Sequence, residues 1–104
     1  MIITTTEVIQ GKAVTKTIGL VKGSTIRGRH VGRDFMASLR SVVGGEITEY
    51  TKMLAESREQ AMQRMVADAE AQGANAILSL RFTTSMVQQN AAEILAYGTG
   101  VVVE

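Results

Sequence analysis

Residues 46–72 run without a proline or a glycine and stop at Gly73-Ala74-Asn75-Ala76, and no other feature constrains the fold as strongly. The stretch is rich in Ala, Glu, Gln, Met and Arg, all good helix formers. At about 100° per residue, Tyr50, Ala61, Leu54, Ile47, Met65, Ala69, Met62, Ala55 and Val66 fall in one sector of about 160°. Glu49, Lys52, Glu56, Glu59, Gln60, Gln63 and Glu70 occupy the opposite face. The pattern predicts an amphipathic helix about 40 Å long, closed by Gly73 as its C′ residue.

That length matters because the chain is short. Its 104 residues make one domain, residues 1–104. A compact domain of this size has a radius of gyration near 13 Å, so it is only about 35 Å across. The helix therefore spans or overhangs it, and its apolar face is wide for one small sheet to cover. Both points predict burial against a second copy of the chain.

The remaining segments read mainly as strands. Residues 2–4 suit a short edge strand, and β-branched residues over 13–27 predict a strand bent at Gly19. Residues 27–34 form a loop, followed by a short helix over 34–43 with Phe35, Leu39, Val42 and Val43 on one face. Asp34 suits its first turn and Gly44-Gly45 its end. After Gly73, Ala76, Leu78, Leu80 and Phe82 alternate with Ile77, Ser79, Arg81 and Thr83, the pattern of a strand with one face in the core. Gln88-Gln89-Asn90 mark a hairpin loop over 86–92. The last strand, 93–103, is apolar on both faces, which again points to a subunit contact, because a small sheet normally wets one face. The fold class is α+β.

Composition excludes several functions. A net charge of +1 gives no electrostatic basis for a nucleic-acid or acidic-membrane partner. Without Cys there is no disulfide, thiolate metal site or thiol nucleophile. The opening Met1-Ile2-Ile3-Thr4-Thr5-Thr6 lacks the features of a signal peptide, and no apolar run is long enough to span a bilayer. The default location is cytoplasmic.

Few polar residues invite a functional reading. Arg27, Arg29, His30 and Arg33 share one loop with Gly28 and Gly32. They suit an anion site at the N-terminus of the following helix, or a solvated basic loop balanced by Asp34. The glycine spacing matches neither a Walker loop nor a dinucleotide fingerprint. His30 is the only histidine. A metal site would combine it with Asp34 or with another subunit, although one His and no Cys make a poor soft-metal set. No neighbouring Ser or Cys supports His30 as a catalytic base.

Arg58 falls in the middle of the apolar sector. It must snorkel, or pair with Asp34, Glu93 or an acid on a second chain, because an unpaired buried charge costs several kcal/mol. Anchoring a ligand is the other reading. The paired acids Glu46/Glu49 and Glu56/Glu59 lie on the wet face, and Met53, Met62 and Met65 suit the core better than copper binding. Nothing forms a catalytic set, so the expectation is a protein that is not an enzyme and has no cofactor.

Gly44-Gly45-Glu46, Tyr50, Arg58, Gly73-Ala74-Asn75-Ala76-Ile77 and Tyr97-Gly98-Thr99-Gly100-Val101 together resemble the YbjQ-like family, and Gly19-Leu20-Val21 and the Arg27–Asp34 loop also fit. That small bacterial family is labelled heavy-metal-binding. The resemblance covers nearly the whole chain. It implies a dodecin-subunit-like fold, an antiparallel sheet packed on the long helix, and assembly into a ring, a homopentamer. Gly100 stands where the family usually has Ala, which predicts a more flexible strand and looser packing there. Three readings stay open. They are a homo-oligomeric binding or structural module, a divalent-metal binder with a site shared between subunits, and a small-anion binder using Arg27, Arg29, Arg33 and Arg58 at a subunit junction.

Overall fold

The computed structural model describes residues 1–27, 48–88 and 91–104. The elements are β1 (Ile2–Ile3), β2 (Val14–Arg27), α1 (Thr48–Ala71), β3 (Ala76–Gln88) and β4 (Ala91–Val103). The short helix predicted over 34–43 lies outside the described residues. The long helix and the three main strands stand where the sequence puts them. The strands reach further into the predicted 86–92 loop, because β3 and β4 pair as far as Gln88↔Ala91. A ladder hydrogen bond needs no buried face, so polar Gln88 can extend it.

The sheet order is β1-β3-β4-β2. Strands β2 and β3 both run antiparallel to β4, but β1 runs parallel to β3. The sheet is therefore mixed, not wholly antiparallel. No hairpin ties β1 to β3, since β2 and α1 intervene, and its direction is free.

Helix α1 closes through Gly73 at φ +91°. The Ala74 N–H donates to Ala69 O (2.9 Å) and the Gly73 N–H to Glu70 O (3.0 Å), a Schellman arrangement. Asn75 then clamps the end of β4. Its Nδ2 donates to Val103 O (3.0 Å), its Oδ1 accepts from the Val103 N–H (2.8 Å), and its own N–H donates to Val101 O (2.9 Å). Asn75→Ala orphans both backbone groups of Val103. It should cost about 1–2 kcal/mol in a urea titration.

Two apolar clusters lie on opposite faces of the sheet. Against α1 sit Val21, Ile77, Ile94 and Ala96 with Ala61, Met65 and Ala69. Ala76, Leu78, Val101 and Val103 form the other cluster, joined by Ile9 of the N-terminal segment. The Val101–Val103 end of β4 is thus dry on its far face within one chain, because Ile9 of the N-terminal segment packs there. Gly100 is tightly placed, contrary to expectation, since an added Cβ would lie 2.8 Å from Val21 Cγ1 and 3.3 Å from Ala74 Cβ.

The helix packs mainly on β2, less on β4 and barely on β3. Since β2 is an edge strand, α1 also caps that edge. Asp68 Oδ2 accepts from the Lys22 N–H (2.9 Å), and Arg64 Nη1 donates to Ser24 O (2.6 Å). These side chains, one turn apart, satisfy edge groups that would otherwise be open to another strand. Asp68→Ala should lower stability by about 1 kcal/mol, the modest figure reflecting solvent access, and the unfolding midpoint in urea measures it.

The domain is elongated, with extents of 52 × 26 × 17 Å and a radius of gyration of 16.8 Å. At about 3.3 Å per residue, β3 and β4 are each about 43 Å long, and α1 is about 36 Å. The helix does not overhang its sheet, because the sheet is longer than a compact domain of this size would hold. Helix length therefore gives no ground for assembly, whereas the width of the apolar face still does.

Candidate functional site

Among the described residues, the off-centre seat of α1 leaves part of the sheet uncovered. Beyond the helix, β3 presents Phe82, which is 42% exposed, and Met86, 79% exposed. Leu80, on the same face, packs partly into the core. Between α1 and β3 runs an open depression of about 330 Å³, lined by Ala55, Arg58, Glu59, Met62 and Phe82. Its floor is apolar, and its charged groups, Arg58 and Glu59, come from the helix.

Arg58 is exposed. The buried stripe of α1 is Ser57, Ala61, Met65 and Ala69. Helix α1 turns that stripe toward β2, as the 3.2 Å hydrogen bond from the Thr25 hydroxyl to Ser57 O shows. This rotation carries Arg58 onto the flank facing β3, where it is exposed beside Phe82 and Met62. A buried ion pair between Arg58 and Glu93 does not form among the described residues; Glu93 stands half-buried on β4. Asp34, Arg29, His30, Arg33 and the side chain of Arg27 lie outside the described residues.

Among the described residues, no three His, Cys, Asp or Glu side chains gather as metal ligands, and no helix is long and apolar enough to cross a membrane. Residues that the sequence reading passed over do structural work. Arg64 and Asp68 look like an ordinary solvated helical pair, and only their (i, i+4) spacing beside the apolar stripe hints that both reach one edge strand.

Comparison with known proteins shows close relatives. The family described as "Putative heavy-metal-binding" matches residues 1–104. A UPF0145 protein of Dehalococcoides mccartyi is 61% identical over 104 residues, covering 100% of both chains. One from Methanosarcina acetivorans is 62% identical over 101 residues, covering 97% of this chain and 95% of its own. A crystal structure from Pediococcus pentosaceus, of a protein of unknown function assigned to the DUF74 family, superposes with a TM-score of 0.64 at 18% identity. It covers 100% of this chain and 98% of its own, a likeness of fold alone.

Proposed function

The chain belongs to the YbjQ family, and from that premise we propose that it works as a homo-oligomeric binding or structural module and not as an enzyme. The apolar floor between α1 and β3, uncovered among the described residues, carries this reading. Phe82 and Met86 present large apolar surface beside Met62 and Ala55, on a face that a second copy would dry. Contacts that join different patches of successive copies close into a ring, the pentamer implied by the resemblance of this sequence to its family.

Light scattering tests the assembly. The wild type should elute at a multiple of 11.2 kDa at micromolar concentration. Phe82→Asp combined with Met86→Asp should shift it to the monomer while the far-ultraviolet helix signal stays. A wild-type monomer, or a double variant that still assembles fully, refutes the reading.

The family description favours a second reading, metal binding. The described residues do not fit it, since they supply no ligand cluster and the chain has no Cys. A site would need His30 and Asp34 together with acids from another copy. Calorimetry with zinc, copper and nickel, on the wild type and on His30→Ala, decides it. Saturable binding lost in the variant supports the reading, and no binding of all three metals ends it for those ions. Anion binding at a subunit junction through Arg27, Arg29, Arg33 and Arg58 rests on sequence alone, and thermal shift against phosphates and carboxylates checks it.

A further inference from the structure

The face of the sheet away from α1 holds a different feature. Both neighbours of β4 break register opposite its Tyr97–Val101 stretch, β2 between Thr17 and Gly19 and β3 between Leu78 and Arg81. Ser79 sits in the β3 break at φ 56°, a conformation that a non-glycine residue rarely takes and that gathers at functional sites. Its N–H is held by Thr6 O at 2.9 Å. The two breaks border a depression of about 410 Å³. That volume lies within the range of small-molecule sites.

Its chemistry is specific. Arg81 Nη1 donates to Thr5 O (3.0 Å) and Leu80 O (2.7 Å), which uses both hydrogens of that nitrogen and fixes the guanidinium. Among the described residues, Nε and Nη2 make no hydrogen bond. Those two nitrogens form the fork that takes a carboxylate through two parallel bonds. Glu7 lines the same depression, and among the described residues it makes no ion pair with Arg81. Hydroxyls of Ser79, Tyr97 and Thr99 add hydrogen-bonding capacity, and Leu20, 62% exposed, adds an apolar wall.

We infer that this depression binds a small zwitterion of the α-amino acid class, its carboxylate on the Nε/Nη2 fork of Arg81 and its ammonium on Glu7. A simple anion would face Glu7 and a simple cation would face Arg81, whereas a zwitterion satisfies both. The Leu20 wall receives the side chain. This site shares no residue with the α1–β3 depression and does not depend on the assembly reading.

Saturation-transfer NMR on the full chain, with the protein-forming α-amino acids as probes, tests it. Each probe is compared with its deaminated acid and its decarboxylated amine. At least one amino acid should bind saturably. Removing its amine or its carboxylate, or introducing Glu7→Gln or Arg81→Lys, should weaken that binding about tenfold or more. Arg81 also holds Thr5, so Arg81→Lys can loosen the N-terminal segment; Glu7→Gln leaves those bonds intact and keeps the test decisive. The inference is overturned if no amino acid saturates, if Glu7→Gln binds as the wild type does, or if a deaminated acid binds as tightly as its parent.

Discussion

Replacing Gly23 by alanine is expected to unfold the chain or bring it close to unfolding. A Cβ there would clash with Met65 N and Ala61 O and lie 2.6 Å from the Arg64 carbonyl carbon. All three atoms belong to the backbone of α1, so no side-chain rotation relieves the clash. Either the helix lifts from β2 or the strand leaves the sheet. Lifting α1 breaks the Thr25, Lys22 and Ser24 hydrogen bonds together and opens the core around Met65. The cost should be about 4 kcal/mol or more, the extreme end for a single substitution, against a total stability of about 5–15 kcal/mol for a domain. Gly11→Ala is the control. It has positive φ but nothing within 4 Å, and should cost only about 1 kcal/mol. Urea unfolding followed by circular dichroism separates the two. A Gly23→Ala protein within 1 kcal/mol of the wild type would mean that α1 does not lie this close to β2.

Gly23 also marks where the sequence stops being legible. Helix α1, its stop at Gly73, strand β2 and the alternation after Ala76 all follow from periodicity and turn chemistry, which are local. The seat of α1 on an edge strand is not local. It depends on Gly23 in one segment meeting Ala61 and Met65 in another, and a glycine inside a strand reads only as a weak point or a bend. The same gap explains Arg58. A helical wheel finds the apolar sector but not which part of it the sheet reaches. Here the sheet takes the edge holding Ser57, Ala61, Met65 and Ala69, and Arg58 stays in the open with Phe82 and Met62.

The breaks in β2 and β3 show the same limit at the second site. Gly19 announces the first, and it takes φ +123° where the register shifts. Nothing in Leu78-Ser79-Leu80-Arg81 announces the second. Ser79 owes its conformation to the N-terminal segment, since Thr6 O binds its N–H and Thr4 O binds the Leu80 N–H. Glu7 and Arg81 stand far apart in the sequence and line one depression only because that segment runs along β3. Their opposite charges have no periodic signature.

Met65→Ala is expected to have the next largest effect, and it isolates what the small residues of α1 achieve. Ala61 and Ala69 flank Met65 one turn to either side, and all three are fully buried. The alanines bring the helix backbone down onto Gly23, and Met65 fills the space that such a close approach leaves beside the contact. Removing its side chain deletes apolar contacts within the cluster that also holds Val21 and Ile94 and leaves a cavity that cannot collapse, because α1 already touches β2 along its backbone. The loss should be about 3 kcal/mol, within the range for truncating a buried methionine. Met62→Ala serves as the comparison. Met62 is half-buried and lines the open depression, so its truncation should cost about 1 kcal/mol in the monomer. If a second copy covers that depression, the Met62 variant should lose more stability at high protein concentration than at low, whereas the Met65 variant should lose the same at both. Denaturation at two concentrations a hundredfold apart measures both, and equal losses for Met62→Ala would place that face outside the interface.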